Sequence, residues 1–289
     1  MLAGAAITST GGGLINGDVG AYPITGAAIG LTDAQVNGII YSVDAVGPAG
    51  SVINPALLLA AKGDLTIAFN AAAGRVPVPA GSFLNPGAGN IGGMNLIPGI
   101  YKFDATAFIT GSDLTLTGGP DDVWIFQIGS DLQVGTYVKI ILAGGASPRN
   151  IFWQVGTSAV IDTYAVFKGT IMADQSVVMK TGSTIDGRAL AFSAGVTYNG
   201  VGASLPIGAS LPIPEMPVFS KITKSGTSIN MTLRTTPYYL LTLENSSDLI
   251  TWSFLTSSTP TSNTFSYTHV LSPTSEGKHF YRAFLTPFN

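Results

Sequence analysis

The sequence predicts a mainly β protein: a stack of β-coils, or β-solenoid, with one long α-helix alongside it, followed by a small antiparallel β-sandwich. Three observations predict this. A short apolar phrase returns four times, as Trp124-Ile-Phe-Gln-Ile-Gly129, Ile151-Phe-Trp-Gln-Val-Gly156, Gly169-Thr-Ile-Met-Ala173 and Gly187-Arg-Ala-Leu-Ala191, with matching positions Ile125, Phe152, Ile171 and Ala189 separated by 27, 19 and 18 residues. A recurring unit of that length is the mark of stacked coils. One segment, residues 55–74, carries helical rather than strand periodicity, and the composition changes after residue 217.

Composition limits the alternatives. Charged residues make up 10% of the 289, Gly numbers 36 and the net charge is −3, so exposed surface must be built largely from Ser, Thr, Ala and Gly. No unbroken apolar run approaches the roughly 20 residues of a membrane span. With no basic cluster, neither nucleic acid nor an anionic membrane is a natural partner. Cysteine is absent, which removes disulfides and thiolate chemistry. The residues after Met1 are strand-like and lack a basic segment followed by a long apolar one. Either the chain is intracellular or Met1 stands where a signal peptide was removed.

Residues 1–54 read as short strands and Gly-rich turns. The helix begins after Asn54, a good N-cap, with Pro55 at the first helical position and Gly74 placed to close it. Its apolar stripe is Leu58, Ala61, Leu65, Ala68 and Ala72. Because successive strand side chains face opposite ways and both sets are apolar in the recurring phrases, one set fills the coil interior and the other needs a cover. The helix is expected to supply it, running along the stack and burying Phe126, Trp153, Met172 and Leu190. Residues 75–98 read as a loop or cap over one end. Coils resume at Gly99, giving a solenoid over 1–201. A Pro-rich linker is expected over 202–217, and a β-sandwich-like module over 218–289.

Catalytic groups are scarce. Residues 1–214 contain no His, Cys or Glu. Asp121 and Asp122 sit in a turn sequence, and Asp131, Asp162 and Asp186 fall at different coil offsets, which favours solvated charges over a carboxylate pair. Gly87-Ala-Gly-Asn-Ile-Gly92 matches a dinucleotide fingerprint in letters but has neither a preceding strand nor a following helix. His269 and His279 lack partners at metal-ligand spacing. No catalytic residue, cofactor or metal site is expected.

What remains is surface. Aligning the turns that follow each second strand places Thr10, Thr110, Val134, Ile161 and Thr181 in one column and Ser112, Thr136, Thr163 and Ser183 in another, with Thr184 beside them. Coils stack at about 4.7–4.9 Å, so such columns repeat hydroxyls and methyls almost as a lattice. Short side chains lose little entropy on meeting a rigid partner. A crystalline surface such as ice is such a partner.

Taken in order, Asn16-Gly-Asp-Val-Gly20, the helix end Ala-Phe-Asn-Ala-Ala-Ala-Gly-Arg75, Pro98-Gly-Ile-Tyr101 and the four recurring phrases resemble the microbial ice-binding protein family across residues 1–201. The resemblance implies a discontinuous β-solenoid of triangular section with a flanking helix, secretion, and adsorption to ice that inhibits its growth and recrystallisation. It also implies ice-binding residues on a flat face, in some members as Thr-Ala/Gly-x-Thr/Asn. Thr181-Gly-Ser-Thr184 matches that pattern fully and Thr110-Gly-Ser-Asp113 in part. The expected ice-binding set is therefore Thr10, Thr110, Ser112, Thr136, Thr163, Thr181, Ser183 and Thr184. Two other readings compete: an extracellular adhesive or structural protein whose C-terminal module meets a cell-surface or matrix partner, and a polysaccharide-acting solenoid enzyme using the scattered aspartates.

Overall fold

The computed structural model describes residues 1–10, 12–200, 202–204, 216–235, 241–258, 260, 264–272 and 278–285. The chain divides into two compact units, one of Met1–Ala73 with Pro79–Leu211, the other of Gly74–Val78 with Pro212–Asn289.

The first unit is a β-solenoid of parallel strands on three faces. Its first face stacks Gly99–Phe103, Trp124–Ile128, Ile151–Val155, Val166–Ala173, Thr184–Ala191, Leu2–Ala3, Val19–Ala21, Ile40–Ser42 and Val52–Ile53, in that spatial order. The second stacks Ala107–Ile109, Leu132–Val134, Ala159–Ile161, Val177–Met179, Val196–Tyr198, Ile7–Thr8 and Ile29–Gly30. On the third, Asn95–Leu96, Leu114–Thr117 and Ile140–Ala143 continue through the first halves of Val166–Ala173 and Thr184–Ala191 to Gly202–Ser204, Leu14–Asn16 and Val36–Asn37. The stack is discontinuous: the chain starts in the middle, Leu2 pairing Leu190, runs out to Ile53, and re-enters at the far end.

Gly202–Ser204 closes that break by pairing with Thr184–Asp186 on one side and Leu14–Asn16 on the other. The solenoid thus extends past residue 201, into what the proline content suggested was linker. Of that linker, residues 205–215 lie outside the described residues.

The helix spans Pro55–Ala73, with Asn54 Oδ1 accepting the Leu57 N–H at 3.0 Å as its cap. It crosses the first face from Ile40–Ser42 to Trp124–Ile128. Nineteen residues rise about 28 Å, which matches six strand spacings of about 4.8 Å. Leu58, Leu65 and Ala72 are its buried side chains. Lys62 Nζ reaches Ala191 O at 3.2 Å midway, and Gln127 Nε2 donates to Ala72 O at 2.9 Å at the end. Gly74 does not take the left-handed backbone expected of a closing glycine. By length and composition alone this helix is apolar enough to cross a membrane, which the lack of an unbroken apolar run conceals.

The helix does not bury Phe126 and Trp153. Both point into the coil interior, where Tyr101, Phe126 and Trp153 stack with centroids 5.3 and 3.8 Å apart and Phe167 packs at 5.3 Å. Ile125 and Phe152, of opposite parity, share the helix-covered side with Met172; Leu190 lies on that side but only half-buried. The cause is a one-residue register difference. Trp153, not Phe152, pairs Ile171, which in turn pairs Ala189. With both parities apolar, hydrophobicity cannot fix register.

Residues 79–98 cap the free end of the solenoid with short 3-10 turns. The second unit contains two antiparallel three-stranded sheets. Val218–Ser225, Ser228–Arg234 and Thr264–Val270 form one, and Ser253–Ser258, Leu241–Ser246 and Phe280–Leu285 the other. Ile229, Met231, Leu233 and Leu243 form the core between them.

Candidate functional site

Among the described residues, one solenoid face is both open and free of charge along its middle. The helix covers the first. The third carries Lys139 and a Lys168–Asp186 ion pair of 3.2 Å among its outward residues. On the second, the outward central residues in register are Phe108, Gln133, Val160, Val178, Thr197, Thr8 and Gly30. None is charged, and four successive coils present the isosteric β-branched series Val160, Val178, Thr197, Thr8.

Two residues upstream along each strand the outward positions are Thr106, Asp131, Ser158, Ser176, Gly195, Ala6 and Ala28. Two residues downstream they are Thr110, Gly135, Asp162, Lys180, Asn199, Thr10 and Thr32. Charges therefore sit at the margins, and the coils at residues 195–199, 6–10 and 28–32 carry none.

Hydrogen bonds between coils hold these short side chains in place. Thr8 Oγ1 donates to Thr197 Oγ1 at 3.2 Å, and Ser176 Oγ to Ser158 Oγ at 2.9 Å. Asn199 Oδ1 accepts from both Thr10 N and Thr10 Oγ1, and at the other end Asn90 Oδ1 accepts from Thr110 N while Asn90 Nδ2 donates to Thr110 Oγ1. The second-face surface is thus a rigid field of methyls and hydroxyls repeating at the strand spacing.

The eight residues expected from the sequence do not form one column. Thr10 and Thr110 border the second face. Thr136, Thr163 and Thr181 occupy the corner after it, where Tyr137 N donates to Thr163 O and Tyr164 N to Thr181 O. Ser112 is exposed on the same corner. Ser183 is fully buried, its hydroxyl donating to Lys180 O at 2.7 Å, and Thr184 lies on the third face beside Val166 and Gly202. Val134 and Ile161, placed in register with Thr10 and Thr110 by the sequence, are interior residues 2% and 0% exposed, paired with Ile109 and Met179. The alignment slipped by one residue because corner lengths vary: five residues separate Ile109 from Leu114, but six separate Val134 from Ile140.

Thr8, Val160, Val178 and Thr197, at the centre of the second face, lie outside the set expected from the sequence. Their signal is present in the runs Ile7-Thr8-Ser9, Ala159-Val160-Ile161, Val177-Val178-Met179 and Val196-Thr197-Tyr198, each with a β-branched residue at the centre.

The aspartates are dispersed. Asp131 accepts from Thr157 and Ser158 N, and Asp186 pairs with Lys168 on another face. Asp162 accepts from Thr163 N and pairs with Lys180 at 3.1 Å; that amide first, then Lys180, holds its carboxyl below the usual range. Asp122 closes its turn by accepting from Gly119 N. Among the described residues no group of three or more His, Cys, Asp or Glu converges on a metal-sized site.

The family model described as ice-binding-like matches residues 1–201. An ice-binding protein of Flavobacterium frigoris is 44% identical over 194 residues, covering 67% of this chain and 69% of that protein. One from a Colwellia species is 42% identical over 195 residues, covering 67% and 76%. Among solved structures, a glycosylated ice-binding protein from an Arctic yeast superposes with a TM-score of 0.64 at 32% identity, covering 73% of this chain and 91% of that one. The Shewanella frigidimarina ice-binding protein domain gives 0.63 at 31%, covering 73% and 94%. With a discontinuous three-faced solenoid and a helix along one face, the chain belongs to the ice-binding-like family.

Proposed function

We propose that this protein adsorbs to ice through the second face of its solenoid, centred on Thr8, Thr197, Val178 and Val160, and so restrains ice growth and recrystallisation without acting as an enzyme. The observation that carries this reading is that, among the described residues, this face of the solenoid is open, in register and uncharged along its middle. Methyl groups can cage water while hydroxyls anchor it. Because the inter-coil hydrogen bonds already fix the side chains, little rotamer entropy is left to lose on contact. Ice as a partner is also what the relatives' names state of those proteins. The same reading places the protein outside the cell, where ice grows against it.

Thermal hysteresis and recrystallisation assays on the full chain test the proposal. Thr8→Tyr and Val178→Tyr should each remove most activity, whereas Thr184→Tyr on the third face should leave it. No ice shaping by the unaltered protein would end the ice reading. Full activity in both second-face variants would move the site elsewhere.

A further inference from the structure

At the corner between the second and third faces, Tyr137 and Tyr164 stack with ring centroids 5.0 Å apart and planes 15° apart, although they are 65% and 48% exposed. Both adopt left-handed backbone, φ +62° and +58°, a region that residues with a β-carbon disfavour. Each stands three residues before the first interior residue of its third-face strand, Ile140 and Phe167. The equivalent positions before Leu114 and Ile185 are Gly111 and Gly182, with φ +81° and +74°. Four coils therefore repeat one left-handed corner, two filled by the expected glycine and two by tyrosine. Strain retained against an available glycine marks a position where the side chain is used.

The two glycines differ. A β-carbon on Gly182 would strike the Tyr164 ring at 2.2 Å, so one end of the ring column rests on this coil; at Gly111 it would meet nothing within 4 Å. The column thus stops one rung short, with the outer face of Tyr137 open toward the Gly111 coil. A flat ring placed there continues the stack at the coil spacing.

The rim tells what kind of ring. Thr136 and Thr163 precede the two tyrosines, and Lys180 is committed to Asp162 at 3.1 Å. Lys139, two residues after Tyr137, is the other cation nearby, and Asp113 of the adjoining coil accepts its backbone N–H at 2.8 Å. This corner thus pairs each lysine with a carboxylate instead of clustering cations, and a nucleobase on its phosphate backbone is poorly served. Around Tyr137, the chain neighbours Gly135, Thr136 and Lys139 and the facing Gly111 offer no apolar wall of the kind an inserted aromatic side chain would need. A sugar ring has an apolar C–H face for the electron-rich tyrosine face and hydroxyls for the polar rim. We infer that the Tyr137–Tyr164 column is a stacking platform for a neutral polysaccharide, separate from the ice-facing surface.

Affinity electrophoresis of the full chain in native gels containing hydroxyethyl cellulose, xyloglucan or galactomannan tests this. Retardation is expected in at least one gel. It should persist in Tyr137→Phe and weaken at least tenfold in Tyr137→Gly and Tyr137→Asn, both of which accept left-handed backbone. These two variants should melt at or above the temperature of the unaltered protein and retain its thermal hysteresis. Absence of retardation in all three gels would overturn the inference, as would undiminished retardation in Tyr137→Gly and Tyr137→Asn. A clear fall in melting temperature in both would assign the rings to stability instead.

Discussion

The side-chain oxygen of Asn199 accepts both the backbone N–H and the hydroxyl of Thr10, at 2.8 and 2.9 Å, joining residues 189 apart in sequence. The same bond fixes a hydroxyl at the border of the proposed ice-facing surface. Asn199→Ala should cost only about 1 kcal/mol of stability, since the site is solvent-facing, but it frees the Thr10 rotamer. Thermal hysteresis should therefore fall by more than the melting temperature would suggest. Equal activity in the variant would mean that pre-ordering at this border is unimportant.

Gln127 links the helix to the sheet through Ala72 O at 2.9 Å, and both groups are buried. Gln127→Leu keeps the volume and strands that carbonyl, so unfolding should become easier by about 1–3 kcal/mol. Leu65→Ala, beneath the same helix, should cost about 2–5 kcal/mol. Urea titrations of both would show how much of the fold rests on the helix; values near zero would mean the coils stand without it.

Gly187 is a site of close approach. A β-carbon there would lie 1.8 Å from Gly169 O, backbone that cannot rotate away. Gly187→Ala should force neighbouring coils apart and cost about 3 kcal/mol, whereas Gly111→Ala, in open space but at φ +81°, should cost only the left-handed penalty of about 1 kcal/mol. Calorimetry on the pair should separate them in that order.

In the C-terminal unit, His269 Nδ1 lies 3.1 Å from the Tyr281 hydroxyl, bridging the two sheets. Burial, then the neighbouring His279, holds the His269 pKa below its ordinary value. The unfolded chain therefore binds this proton more tightly. Stability from the neutral ring is full above about pH 6.5 and declines as the pH falls through that value toward the lower folded one. Thermal unfolding of the C-terminal unit should shift downward between pH 7.5 and pH 5, and less so in His269→Asn. Identical shifts in both proteins would acquit His269.

Much of the architecture was legible because it rests on local patterns. The Asn54-Pro55 start, the stripe of Leu58, Leu65 and Ala72, and the apolar phrases at Trp124, Ile151, Gly169 and Gly187 announce a helix beside stacked coils, and the structure contains both. The site was less legible. Thr10 and Thr110 lie at the edge of the proposed ice-facing surface, but Ser183 and Thr184 do not, since one extra corner residue moves a side chain from outside to inside.

By itself the sequence determined that stacked strands dominate, which segment is the helix, that the composition changes toward the C-terminus, and that the surface is poor in charge. Composition and periodicity suffice for these because each depends on residues near one another in the chain. Only the tertiary structure decided that Phe126 and Trp153 face inward, that Leu2 seats beside Leu190, and that Thr8, Thr197, Val178 and Val160 share a row. Register and face depend on backbone hydrogen bonds between distant strands and on corner lengths that differ by one residue. When both sides of a strand are apolar, no local pattern encodes that choice.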